Sequence, residues 1–140
     1  MKYVLDTPLL AELIHAKPDD WITHWIDAFD EDEVFLSAVT INEIKTGIDN
    51  LEDIAQKEQI DHWLNNELLK RFEGKIIPVD EDDLIEGKKL VNETKTAGKP
   101  LSPLDGMIAA TVRARGLVLI TYNRELFSEA GIEVSDPWQG

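Results

Sequence analysis

Strand-like and helix-like stretches alternate along this chain, and that alternation limits its possible folds more than any other feature. The short apolar runs KYVLD (2–6), VFLSA (34–38), KIIPV (75–79) and LVLIT (117–121), with a shorter IEVSDPW (132–138), have the length and character of buried strands. Amphipathic segments lie between them. TPLLAELIHA (7–16) carries Pro8 at a position suited to the start of a helix. PDDWITHWIDAF (18–29) sets Trp21, Ile22, Trp25, Ile26 and Phe29 in a helical stripe. TINEIKTGI (40–48) starts another helix, and IAQKEQIDHWLNNELLKRF (54–72), DEDDLIEGKKLVNETKTAG (80–98) and SPLDGMIAATVRARG (102–116) follow, the last closed by Gly116. Strands separated by helices imply βαβ units, hence an α/β fold with a mainly parallel sheet of about five strands flanked by helices. The 140 residues suit a single domain over 1–140, and no repeat, low-complexity tract or long linker divides it.

Composition narrows the chemistry. There is no cysteine, so disulfides and thiolate metal sites are excluded, and a reducing, cytoplasmic location is the expectation. Asp6 and Glu12 interrupt the first apolar run, which therefore does not read as a signal peptide. No stretch reaches the ~20 apolar residues of a membrane span. The formal net charge is −14. Such a surface repels phosphate backbones, so a nucleic-acid partner requires a divalent cation, a Lys/Arg cluster or a basic partner chain to reverse the field locally. The plainer reading of the charge is solubility, and the acidic runs at 30–33 and 80–83 read as solvated helix ends.

In parallel α/β sheets ligands bind beyond the carboxyl ends of the strands. Four oxygen-bearing side chains belong near such ends. Asp6 closes the first strand, Glu43 follows the second in LSAVTINEI, Asp105 opens the helix LSPLDGMIAA, and Asn123 closes the fourth strand in LITYN. Each has a purely structural reading as well. Asp6 or Thr7 suits a helix cap, Thr40-x-x-Glu43 and Ser102-x-x-Asp105 fit capping boxes, and Asn123 suits a turn.

If the acids converge, they repel one another and raise a pKa, and a bound cation removes that cost. All-oxygen ligands favour Mg²⁺ or Mn²⁺ over zinc. Such a metal serves phosphodiester hydrolysis. Glycine-rich phosphate loops, the nucleophile elbow and the H-E-x-x-H zinc motif are absent, and His15, His24 and His62 lack ligand spacing. A phosphoacceptor receiver domain shares the alternating architecture but carries an acidic pair after its first strand, where only Asp6 stands here.

Several segments together resemble PIN domains, most closely the VapC and FitB type found as toxins of bacterial toxin–antitoxin pairs. YVLDTPLLAEL resembles their first motif, a strand ending in Asp-Thr before a helix. LSAVTINEIKTGI resembles the second. PLSPLDGMIAATVRARGLVLITYNRELF resembles the third and fourth, and GIEVSDPW the usual end. The resemblance implies a three-layer fold whose sheet edge binds Mg²⁺ or Mn²⁺, with Asp6, Glu43 and Asp105 as metal ligands and Asn123 in the fourth catalytic position. It also implies a homodimeric ribonuclease, cutting RNA such as tRNA, restrained by a VapB-like antitoxin whose basic residues reach the acidic site.

Thr121 and Arg124 flank Asn123 and are expected to touch the RNA phosphate, with Lys45, Arg113 and Arg115 as further RNA contacts. The apolar helices around Trp21, Trp25 and Trp63 are the expected dimer face. Two departures stand out: Pro8 occupies a position where the family usually has Asn, and Asn123 one where Asp is common. They sustain an alternative in which the chain is a weak or inactive PIN-fold subunit of a regulatory complex that binds DNA through its antitoxin.

Overall fold

In the computed structural model, which describes residues 2–14 and 30–135, β1 (Tyr3–Leu5) occupies the middle of a five-stranded sheet. The sheet runs β3-β2-β1-β4-β5, with β2 at Val34–Ser37, β3 at Ile76–Ile77, β4 at Val118–Ile120 and β5 at Val134–Ser135, and all pairs are parallel. Leu5 stands level with Leu36 and Ile120. The residues that follow, among them Asp6, Ser37 and Thr121, therefore emerge along one edge.

Helices α1 (Thr7–Ile14), α2 (Ala38–Asp49), α3 (Ile54–Trp63), α4 (Glu81–Thr96), α5 (Pro103–Ala114) and α6 (Arg124–Glu129) connect and flank the strands. Alternating strand residues feed two cores. Leu5, Leu36 and Ile120 pack with Leu9, Leu10, Ile44, Leu64 and Phe72. Val4 and Leu119 pack on the other side with Leu90, Ile108, Val112 and Phe127. The arrangement is the three-layer α/β architecture expected from the alternation.

Several local expectations change. The segment 54–72 is not one regular helix, because a π-helical turn at Leu64–Leu68 interrupts it before Leu69–Arg71. Pro8 is the second residue of α1, not the first. The expected helix at 18–29, with Trp21 and Trp25, lies outside the described residues. Trp63 is half-buried against the first core. Helix α6 was not anticipated: it is six residues long and buries only Phe127.

The run at 80–83 is not merely solvated. Asp80 and Asp83 close a capping box, with the Asp83 amide donating to Asp80 Oδ1 (2.8 Å) and the Asp80 amide to Asp83 Oδ2 (3.1 Å). Asp83 is buried, and Arg115 at the far end of α5 donates to its carboxylate (3.1 Å) and lies 3.4 Å from Asp80. Burial pushes the Asp83 pKa up, but the Arg115 bond and the Asp80 amide outweigh it and hold the group below the usual carboxylate value.

Helices α4 and α5 touch through Gly87 and Gly106, beside Asp105. A Cβ on Gly106 would lie 2.6 Å from Val91 Cγ2 and 2.8 Å from the Gly87 carbonyl oxygen. Gly47, inside α2, has nothing within 4 Å of such an atom. Alanine is favoured over glycine in a helix by roughly 1 kcal/mol, whereas overpacking costs about 1–3 kcal/mol. Urea denaturation is therefore expected to show Gly47→Ala stabilised and Gly106→Ala destabilised. A stabilised Gly106→Ala would contradict the close crossing.

Candidate metal centre

Asp6 leaves β1 at the carboxyl edge and is 2% exposed. Its backbone amide bonds Ile120 O (3.0 Å), which ties it to β4. The carboxylate is held at both oxygens. The Thr7 amide donates to Oδ1 (2.9 Å) and the Thr121 hydroxyl donates to Oδ2 (2.7 Å). This is not ordinary side-chain capping of α1. A cap aspartate accepts from the second or third helical amide. Here the second residue, Pro8, has no N–H, and the Leu9 amide donates to the Asp6 carbonyl (3.2 Å).

Glu43 projects from the second turn of α2 and is half-buried. Its Oε1 accepts from the Thr7 hydroxyl (3.0 Å), which itself lies 2.9 Å from the Thr40 hydroxyl. The expected Thr40–Glu43 capping box is absent because the helix starts earlier. Ser37 is its cap, accepting from the Val39 amide (3.1 Å). Asp105 sits in the first turn of α5, where its amide donates to the cap Ser102 Oγ (3.1 Å). The return bond that would close a box is found among the described residues at Asp83, not at Asp105.

Electrostatics couples the three acids. Burial, helped by the charges of Asp105 and Glu43, pushes Asp6 up to about 6 against the pull of Thr121 and Thr7. Burial raises Glu43 too, opposed by the Thr7 hydroxyl and reinforced by Asp105, and burial raises Asp105 against the pull of the Ser102 hydroxyl on its carboxylate. The donor set is all oxygen and anionic, which fits a hard divalent cation in kind. Among the described residues no three acidic or histidine side chains form a ready-made cage. The fit is therefore one of charge and donor type.

The remaining expected site residues fall in different places. Asn123 is exposed, and its amide donates to Thr121 Oγ1 (3.0 Å), which links it to Asp6 through Thr121. Arg124 is exposed and shares a shallow hollow of about 380 Å³ with Asn123, Tyr122 and Lys99. Glu43 borders a separate groove of about 640 Å³ with Val39, Leu84, Leu104 and Met107. Thr121 is fully buried with its hydroxyl on Asp6, so the expected phosphate contact is replaced by support of a carboxylate. Arg113 lies 3.6 Å from Glu86 and Arg115 is held by Asp83, leaving the exposed Lys45 as the remaining member of that trio. Sequence reasoning missed Thr7 as the residue linking Asp6 to Glu43. Its only signal there was adjacency to Asp6.

A PIN-domain family model matches residues 3–133, and the chain belongs to that family. The chain is similar to the VapC ribonuclease Y4jK of Sinorhizobium fredii, at 33% identity with 97% of each chain covered. It is also similar to toxin FitB of Neisseria gonorrhoeae, at 30% identity over 96% of this chain and 97% of that one. Among solved structures, FitAcB from Neisseria gonorrhoeae superposes with a TM-score of 0.88 at 30% identity, with 99% of each chain covered. A toxin–antitoxin complex from Klebsiella pneumoniae superposes at 0.69 with 25% identity, over 97% of this chain and 98% of that one.

A raised carboxylate pKa has a defined effect on stability. The folded state holds the Asp6 proton to about pH 6, against an unpaired value of 3.8. Its contribution is complete below the unfolded value and is lost as pH rises through 6, a loss of about 3 kcal/mol. Urea denaturation with chelator is expected to show about 2 kcal/mol of this fall between about pH 4.5 and about pH 7.5 in the wild type, about 1 kcal/mol being lost already by pH 4.5. Asp6→Asn, which cannot ionise, should lose most of it. Glu43 and Asp105 add slopes of the same sign and Asp83 one of the opposite sign, but these are common to both proteins. Equal pH dependence in the two would contradict a buried, coupled Asp6.

Proposed function

We propose that this chain is a Mg²⁺- or Mn²⁺-dependent endoribonuclease and the toxin of a toxin–antitoxin pair. The observation that carries the reading is the buried Asp6, coupled to Glu43 and Asp105 at the carboxyl edge of the sheet. Kinship with a VapC ribonuclease and with toxin FitB supports the activity. Asp6, Glu43 and Asp105 would hold the cation, which would supply Lewis acidity for phosphodiester hydrolysis.

The chain's own residues set the geometry. Thr7 and Thr121 fix both Asp6 oxygens, and Thr7 fixes one Glu43 oxygen. Asn123 offers an uncharged oxygen at the rim, and Arg124 a cation for the RNA phosphate. The net charge of −14 slows RNA approach and favours a basic antitoxin, whose cations neutralise the site and restrain it. The protein works as a homodimer in the cytoplasm, and tRNA is the substrate class that the family implies. Among the described residues no helix is long and apolar enough to cross a membrane.

Cleavage of total RNA by the antitoxin-free protein tests the reading. Discrete products are expected with Mg²⁺ or Mn²⁺ and none with chelator. Asp6→Asn or Asp105→Asn should cost at least about 100-fold, beyond the 10–100-fold range of groups that only support a metal ligand. Cleavage that ignores chelator, or full activity of Asp6→Asn, would overturn the metal assignment. No cleavage by folded protein would favour a non-catalytic subunit of a DNA-binding complex. Pro8, exposed and unable to donate or accept through its side chain, is the observation on that side.

A further inference from the structure

Thr40 is 0% exposed, yet its hydroxyl points at another side chain. Thr94 and Thr111, the other buried helical threonines, donate to the carbonyl one turn back, at Leu90 O (2.9 Å) and Met107 O (2.8 Å). Thr40 is the third residue of α2, and the positions one turn back, Leu36 and Ser37, precede the helix body. Its oxygen lies 2.9 Å from Thr7 Oγ1, and Thr7 Oγ1 donates 3.0 Å to Glu43 Oε1. A hydroxyl has one proton. Thr7 gives its proton to Glu43, so the proton between the threonines belongs to Thr40. The chain therefore has one direction, Thr40 to Thr7 to Glu43. The Thr7 amide meanwhile donates to Asp6 Oδ1, so the same residue sets Glu43 relative to Asp6.

We propose that Thr40 is a positioning residue for Glu43: acting through Thr7, it pins Oε1 and leaves Oε2 as the oxygen offered to a cation. This rests on the assignment of Glu43 made under Proposed function. Thr40 touches neither metal nor RNA. Its effect is to reduce the number of orientations Glu43 samples before the cation arrives, which is how groups behind a ligand usually act.

Thr40→Val removes the hydroxyl at nearly constant volume, Thr40→Ser keeps it, and Thr7→Val breaks the same chain in the middle without altering the buried position. Three readouts apply: the ¹³C carboxyl resonance of Glu43 in metal-free protein, Mn²⁺ affinity by titration without RNA, and kcat against KM for RNA cleavage. Thermal unfolding reports whether each variant folds. Thr40→Val and Thr7→Val are expected to shift the Glu43 resonance towards that of an exposed glutamate. They should weaken Mn²⁺ binding roughly tenfold and lower kcat by a similar factor at unchanged KM, while Thr40→Ser behaves as wild type.

Folded Thr40→Val with wild-type Glu43 resonance and Mn²⁺ affinity would overturn the proposal. Should Thr40→Val not fold, the same comparison on Thr40→Ala, which also lacks the hydroxyl, decides. Wild-type protein that neither binds Mn²⁺ nor cuts RNA would refute the metal-site reading instead, and the Glu43 resonance alone would then decide the role of Thr40.

Discussion

The site depends on a single buried carboxylate held at the end of the central strand. Asp6 cannot move without breaking the bond from its amide to β4, and its two oxygens are taken by an amide and a hydroxyl from different parts of the chain. Burying a charge with only two neutral donors leaves it poorly solvated. That shortfall, increased by Asp105 and Glu43, is why Asp6 holds its proton towards neutrality. A protein stabilised only for its own sake would place an apolar residue there. The unfavourable charge makes sense as one half of a cation site.

The same logic accounts for the surrounding hydroxyls. Thr7, Thr40 and Thr121 carry no charge and occupy little space, yet the Thr121 hydroxyl bonds Asp6, the Thr7 hydroxyl bonds Glu43, and Thr40 stands behind Thr7. Hydroxyls orient a carboxylate without bringing a compensating charge. Three cationic side chains are engaged elsewhere. Arg115 locks α5 to the start of α4, Arg113 faces Glu86, and Lys99 bridges to Glu125 and Glu129. These three cations are thus spent on acids away from Asp6, Glu43 and Asp105.

The strands were readable because their apolar runs are short, buried and bounded, and the parallel sheet followed from the helices between them. Asp6 was readable because it breaks such a run. The supporting threonines were not, since a hydroxyl's partner is decided by which helix end the fold brings near, and Thr7 meets Thr40 across 33 positions of sequence. Thr40 and Glu43 matched a capping box by spacing, but Ser37, three residues upstream, begins the helix and takes that role. Asp83 looked like one of a solvated run because its partner Arg115 lies 32 residues away on another helix. Helix α6 escaped notice because only Phe127 of its six residues is buried, too little for a periodic pattern.

The central claim is that Asp6, Glu43 and Asp105 form one cation site. Paramagnetic broadening of backbone amide resonances by substoichiometric Mn²⁺ tests it directly, because the effect falls steeply with distance and needs no RNA, antitoxin or turnover. The account predicts that the amides of Asp6, Thr7, Glu43 and Asp105 broaden first and together, and that Asp6→Asn abolishes the effect. Broadening confined to exposed acids such as Asp30, Asp32, Glu81 and Asp82, with the carboxyl edge of the sheet untouched, would contradict it.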